Sequence, residues 1–127
     1  MKPRTFIEYT YEQMKKANVV RSSEQFSTDF LGKSRSYYRA MKSQGLEANT
    51  AMLTHLVNEL NRKRTFFEKV GSGDLDFYYA KWRAIENEVA EELALRATAN
   101  GCINTHALMG VFRALQALIT QRQQLTT

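Results

Sequence analysis

Apolar residues recur at three- and four-residue intervals through most of this chain, the spacing that puts them on one face of a helix. Pro3 suits the first turn of a helix starting near it, and Ile7, Tyr11, Met14 and Ala17 form that helix's buried stripe. The stretch "NVVRSS" breaks it. Ser22 and Gln25 then have capping-box spacing, a hydroxyl for an early N–H and an amide reaching back, ahead of a second helix that runs to about Leu31 and buries Phe26, Phe30 and Leu31. Gly32 follows, where a left-handed residue often closes a helix. Ser34 is placed to cap a third helix running to about Ser43, and Gly45 ends it. Asn49 or Thr50 caps a fourth, with Met52, Leu53, Leu56, Val57 and Leu60 inward. That helix runs into "NRKR", after which Phe66 and Phe67 are expected to fold back onto the core.

The stretch "GSGD" (71–74) is the clearest boundary, short enough to be a hinge. A long helix follows with Tyr78, Trp82, Ile85, Val89 and Leu93 on one face and Glu86, Glu88, Glu91 and Glu92 elsewhere. Asn100-Gly101 stops it. A last helix capped by Asn104 or Thr105 turns Leu108, Val111, Phe112, Leu115, Leu118 and Ile119 inward, before a polar tail. No strand pattern bounded by hairpin turns competes. The expected fold is all-α: a four-helix N-terminal domain (1–70) followed by a two-helix C-terminal hairpin (71–127). So apolar a hairpin must pack on the first four helices or on a second copy of itself, which makes 71–127 a dimerisation region or part of one monomeric core.

Composition sharpens this. With 43% hydrophobic residues in 127, the chain can bury a core. No apolar run is long enough for a membrane span, the N-terminus lacks a signal-peptide core, and the single cysteine, Cys102, cannot form an internal disulfide. A cytoplasmic protein is expected. The net charge of +5 is unevenly held, since residues 1–73 carry 13 of the 18 Lys and Arg but 7 of the 13 Asp and Glu. The N-terminal half therefore suits a polyanionic partner.

That charge is densest in "LGKSRSYYRAMKSQG" (31–45), with four cations, two tyrosines and no acid. With residues 34–43 on a helix, Tyr38 and Met41 fall on the inner side, while Arg35, Arg39 and Lys42 share the outer one beside Ser36 and Ser43. Lys33 and the free N–H groups of the helix start together suit a phosphate. Such a face fits the DNA major groove: arginine bonds guanine through its fixed fork, while Ser, Lys and Tyr hold the backbone. A solvated face that only maintains solubility is the bland alternative.

The longer stretch "SSEQFSTDFLGKSRSYYRAMKSQGLEANTAMLTHLVNEL" resembles the helix-turn-helix of phage repressor/Cro-type regulators. It has a serine-rich cap, an apolar second helix with a small residue (Ser27), a turn glycine, "KSRSYYRAM" as third helix and an amphipathic fourth. With the first helix, the resemblance covers about residues 5–62. There is one departure. The family's small residue stands one position nearer the turn glycine than Ser27 stands to Gly32, so either Thr28 takes that position or the turn is one residue longer. The resemblance implies a sequence-specific binder of double-stranded DNA, a transcriptional regulator acting as a homodimer. Lys33, Ser34, Arg35, Ser36, Tyr37, Arg39 and Lys42 would form its contact surface. Arg62, Lys63 and Arg64 add phosphate contacts or cap the C-terminus of their own helix.

Other chemistries find less in the chain. His55 and His106 lie in no metal-ligand spacing, and no nucleophile motif or phosphate loop occurs. The glutamates of "ENEVAEEL" lack the histidine partners of a di-iron bundle and read as a solvated helix face. No catalytic residue, metal or cofactor is assigned. The alternative function is a helical adaptor that binds a protein and no DNA.

Overall fold

The computed structural model describes residues 3–71 and 75–100. The described residues are helical with no strand, an all-α fold. The helices are α1 (Phe6–Lys16), α2 (Ser23–Gln25, continued as a π-helical turn over Phe26–Phe30), α3 (Tyr37–Gln44), α4 (Thr50–Val70) and α5 (Asp76–Asn100). No helix among the described residues is long and apolar enough to cross a membrane.

The chain forms two compact units, Met1–Val89 and Ala90–Thr127. The boundary thus falls within α5, not at residue 70 as the glycines at 71–74 suggested. The first turns of α5 belong to the first unit because their side chains bond there. The Trp82 indole donates to the Leu60 carbonyl at 3.0 Å, and the Tyr78 hydroxyl donates to that of Asn18 at 3.0 Å. In the second unit the described residues continue α5, with an Arg96–Glu92 ion pair at 2.9 Å. The expected last helix, its inward leucines, Cys102, His106 and the tail lie outside the described residues, as does most of the region expected either to dimerise or to complete a monomeric core.

Local signals explain most helix ends. Thr5 caps α1 by accepting from the Glu8 N–H, and Glu47, just before α4, accepts from the N–H groups of Phe6 and Ile7 at 2.5 and 3.0 Å. Ser22 accepts from the Gln25 N–H at 3.2 Å, while the Gln25 amide oxygen reaches one residue past the cap to the Arg21 N–H at 2.7 Å. Asn49, not Thr50, caps α4, accepting from the Met52 N–H at 2.8 Å. Gly45 closes α3 with φ +66°.

Two expectations about α4 fail. Nothing stops the helix before Gly71, so it continues through "NRKR" for two more turns. Phe66 and Phe67 therefore do not fold back; they remain on the helix, 58% and 46% exposed. For the same reason Arg62, Lys63 and Arg64 stand mid-helix and cannot cap its C-terminus.

A second correction concerns charge in the core. Arg64 and Glu86 are buried, at 1% and 3% exposure, and bonded to each other across α4 and α5. Glu68 joins at 3.1 Å from Arg64 and 2.6 Å from Arg83, and Asn61 donates to Glu86 at 3.1 Å. Burial opposes the charged guanidinium, but the Glu86 and Glu68 carboxylates outweigh it and hold Arg64 above its ordinary pKa. Glu86 is thus no part of a solvated face.

Candidate functional site

The basic stretch is held in place by an aromatic cluster drawn from three helices. Tyr11 of α1, Phe26 of α2 and Tyr38 of α3 meet with ring centroids 4.7–5.1 Å apart, the Phe26–Tyr38 pair edge to face. Burial pushes the Tyr38 phenol well above its usual pKa. With Tyr38 and Met41 inward, the opposite side of α3 faces solvent.

Ser27 decides the register. It is fully buried, whereas Thr28 is exposed, so Ser27 is the small residue where α2 meets α3. Its hydroxyl donates to the Ser23 carbonyl at 2.9 Å and accepts from the Tyr38 N–H at 3.0 Å. A π-helical turn carries the chain from Ser27 towards Gly32. The Leu31 N–H bonds back five residues to Phe26, and the Lys33 N–H bonds six back to Ser27. Gly32 then sits at φ +65°, with a Cβ there only 3.0 Å from His55 Nε2 on α4.

The same geometry moves the start of α3. The helix begins at Tyr37, three residues after the expected Ser34, and Ser36 precedes it without a side-chain cap bond. Lys33, Ser34, Arg35 and Ser36 therefore lie in the exposed connection, not on the helix. Arg35 does not share a helical face with Arg39 and Lys42. The expected phosphate seat at the helix start is also largely filled: the Tyr37 N–H bonds the Ser34 carbonyl at 3.1 Å and the Tyr38 N–H bonds Ser27. Lys33 instead places its ammonium 5.5 Å from the Tyr37 ring centroid.

Side-chain pairing divides the remaining cations. Arg39 is bonded to Glu24 of α2. The backbone N–H of Glu24 itself and the Arg39 guanidinium hold that carboxyl below its ordinary pKa, against slight burial. Among the described residues, Lys33, Arg35 and Lys42 form no ion pair. Arg62 and Lys63 share Glu59, at 2.7 and 3.6 Å, and Lys63 lies 5.5 Å from the Phe30 ring centroid. Arg64 leaves the surface set altogether, since it is buried with Glu86.

The structure thus brings together Lys33, Ser34, Arg35, Ser36, Tyr37, Arg39 and Lys42 on one connection and the helix it leads into, and separates Arg62, Lys63 and Arg64 from them by role. Sequence reasoning missed Glu24 as the partner of Arg39 and His55 as the side chain against the turn glycine. Neither carries a local signal, because each acts across a distance in sequence. Among the described residues no group of three His, Cys, Asp or Glu could hold a metal ion.

Residues 7–102 match a family of unknown function (DUF6626), and the chain belongs to that family. No curated protein and no solved structure matches it.

Proposed function

We propose that this chain is a sequence-specific binder of double-stranded DNA, a transcriptional regulator of the cytoplasm with no catalytic step, acting as a homodimer through its C-terminal region. The observation that supports this best is the acid-free run from Lys33 to Gln44, exposed except at the half-buried Tyr37 and the buried Tyr38 and Met41, and presented by a connection whose register Ser27 and Gly32 fix. Lys33 and Lys42 supply phosphate contacts, Ser34 and Ser36 supply short hydroxyls, and Arg35 supplies the fork that bonds guanine. Arg39 joins them only by leaving Glu24. A dimer presents two such surfaces to paired half-sites.

The test is fluorescence anisotropy of a labelled random-sequence duplex at low salt, with wild type and an Arg35→Ala/Arg39→Ala variant whose fold is checked by circular dichroism. Wild-type binding that the variant loses supports the reading. A folded variant with full affinity overturns it.

One observation favours the adaptor reading: Val70, Leu75 and Phe77, around the end of α4 and the start of α5, are exposed. Partner capture that survives high salt, in a protein without DNA affinity, would favour that alternative.

A further inference from the structure

A groove of about 360 Å³ opens between the α1–α2 connection, α2, α4 and the start of α5, all within the first unit. None of its lining residues belongs to the run from Lys33 to Gln44. We propose that it is a binding site for a small aromatic carboxylate.

The lining supports both halves of that description. Phe30 and Trp82 are each 2% exposed and lie at the base, and Phe66 and Phe67 project beside them with much of their rings in water. The Phe67 and Trp82 centroids are 6.1 Å apart, and Tyr78 meets Trp82 edge to face at 5.8 Å. A flat ring entering the groove covers the exposed parts of Phe66 and Phe67 and finds stacking and edge partners already set. The volume lies within the ordinary range for small-molecule sites.

Charge selects an anion. Arg21, Arg62 and Lys63 line the groove against one carboxylate, Asp29. Arg62 and Lys63 already share Glu59, whereas Arg21 forms no ion pair among the described residues. The Gln25 amide holds the Arg21 backbone N–H at 2.7 Å, which anchors the base of that side chain at the rim. A carboxylate on the ring would take Arg21 as its partner in a two-pronged bond.

Trp82 is the only tryptophan and is shielded from solvent, so it reports on occupancy directly. The full chain is titrated with para-iodobenzoate, whose iodine quenches indole emission at close range, and with neutral para-iodobenzamide. Saturable quenching by the acid, about tenfold weaker with the amide or in Arg21→Gln, is the expected result. Phe67→Ala, at a half-exposed position that leaves folding intact by circular dichroism, should abolish saturation. Phe77→Ala removes an exposed ring outside the groove and should leave the midpoint unchanged. Equal, unsaturating quenching by acid and amide overturns the proposal. So does a midpoint that ignores Arg21 and Phe67, or that moves equally with Phe77. No DNA is present, so the result stands apart from the DNA-binding reading.

Discussion

Replacing Arg64 by methionine tests the energetics of the first unit most sharply. Methionine keeps the apolar stem but removes the guanidinium, which bonds Glu86 through two nitrogens and Glu68 through a third. Glu68 retains Arg83, but Glu86 is left almost fully buried with Asn61 as its one remaining side-chain donor among the described residues. Breaking one side of such a buried pair costs about 3–5 kcal/mol, because the surviving charge has lost both water and partner. A domain of this size is stable by only about 5–15 kcal/mol, so the variant should be folded but marginal. With a urea slope of about 2 kcal/mol per molar, the midpoint should fall by about 2 M. Urea denaturation followed by Trp82 emission measures it, since Trp82 stands four residues from Glu86 and bonds the Leu60 carbonyl. The Arg64→Met/Glu86→Leu double variant should recover most of the loss, because no lone charge remains. A loss below about 1 kcal/mol in the single variant, the range of an exposed pair, would refute the burial argument.

Three further outcomes are expected. Ser27→Ala removes the acceptor for the buried Tyr38 N–H and should cost about 1–3 kcal/mol by the same denaturation assay; an unchanged midpoint would show that the bond does not hold the α2–α3 connection. Gly32→Ala forces a side chain onto a left-handed residue and against His55, and should cost about 1–2 kcal/mol, part of it recovered by adding His55→Ala; a double variant no better than the single would assign the cost to backbone alone. Glu24→Gln releases Arg39 and should raise affinity for duplex DNA about two- to fivefold in the anisotropy assay, with no gain at all counting against Arg39 as a contact.

Much of the helical framework is legible in the residues alone. The stripe of Ile7, Tyr11, Met14 and Ala17 is buried as its spacing predicts, and the Ser22 and Asn49 caps form, because caps and periodicity are decided within a few residues. What local reading misses is pairing between helices. Arg64 and Glu86 are 22 positions apart, and each alone looks like an ordinary solvated charge; only the approach of α4 to α5 makes them partners. The start of α3 is misread for a related reason. Ser34 looks like a cap, yet the chain turns onward until the Tyr38 N–H reaches Ser27, beside the π-helical turn. The glycines after Val70 mark the end of a helix correctly and the end of a compact unit incorrectly, because Trp82 and Tyr78 bond back into the first unit.

The salt dependence of binding to random duplex DNA tests the central claim most directly. Three cations without ion pairs, Lys33, Arg35 and Lys42, bear on the proposed surface. On random duplex, which offers Arg35 no chosen guanine, Arg35 pairs with a phosphate as Lys33 and Lys42 do, and neutralising about three phosphates predicts a slope of about −2.7 in log affinity against log salt, so affinity should fall about fortyfold from 50 to 200 mM salt. Recruitment of Arg39 would steepen the slope to about −3.6. A measured slope in that range, flattened in the Arg35→Ala/Arg39→Ala variant, is the predicted result. No binding at low salt, or binding indifferent to salt, would contradict the DNA-binding account.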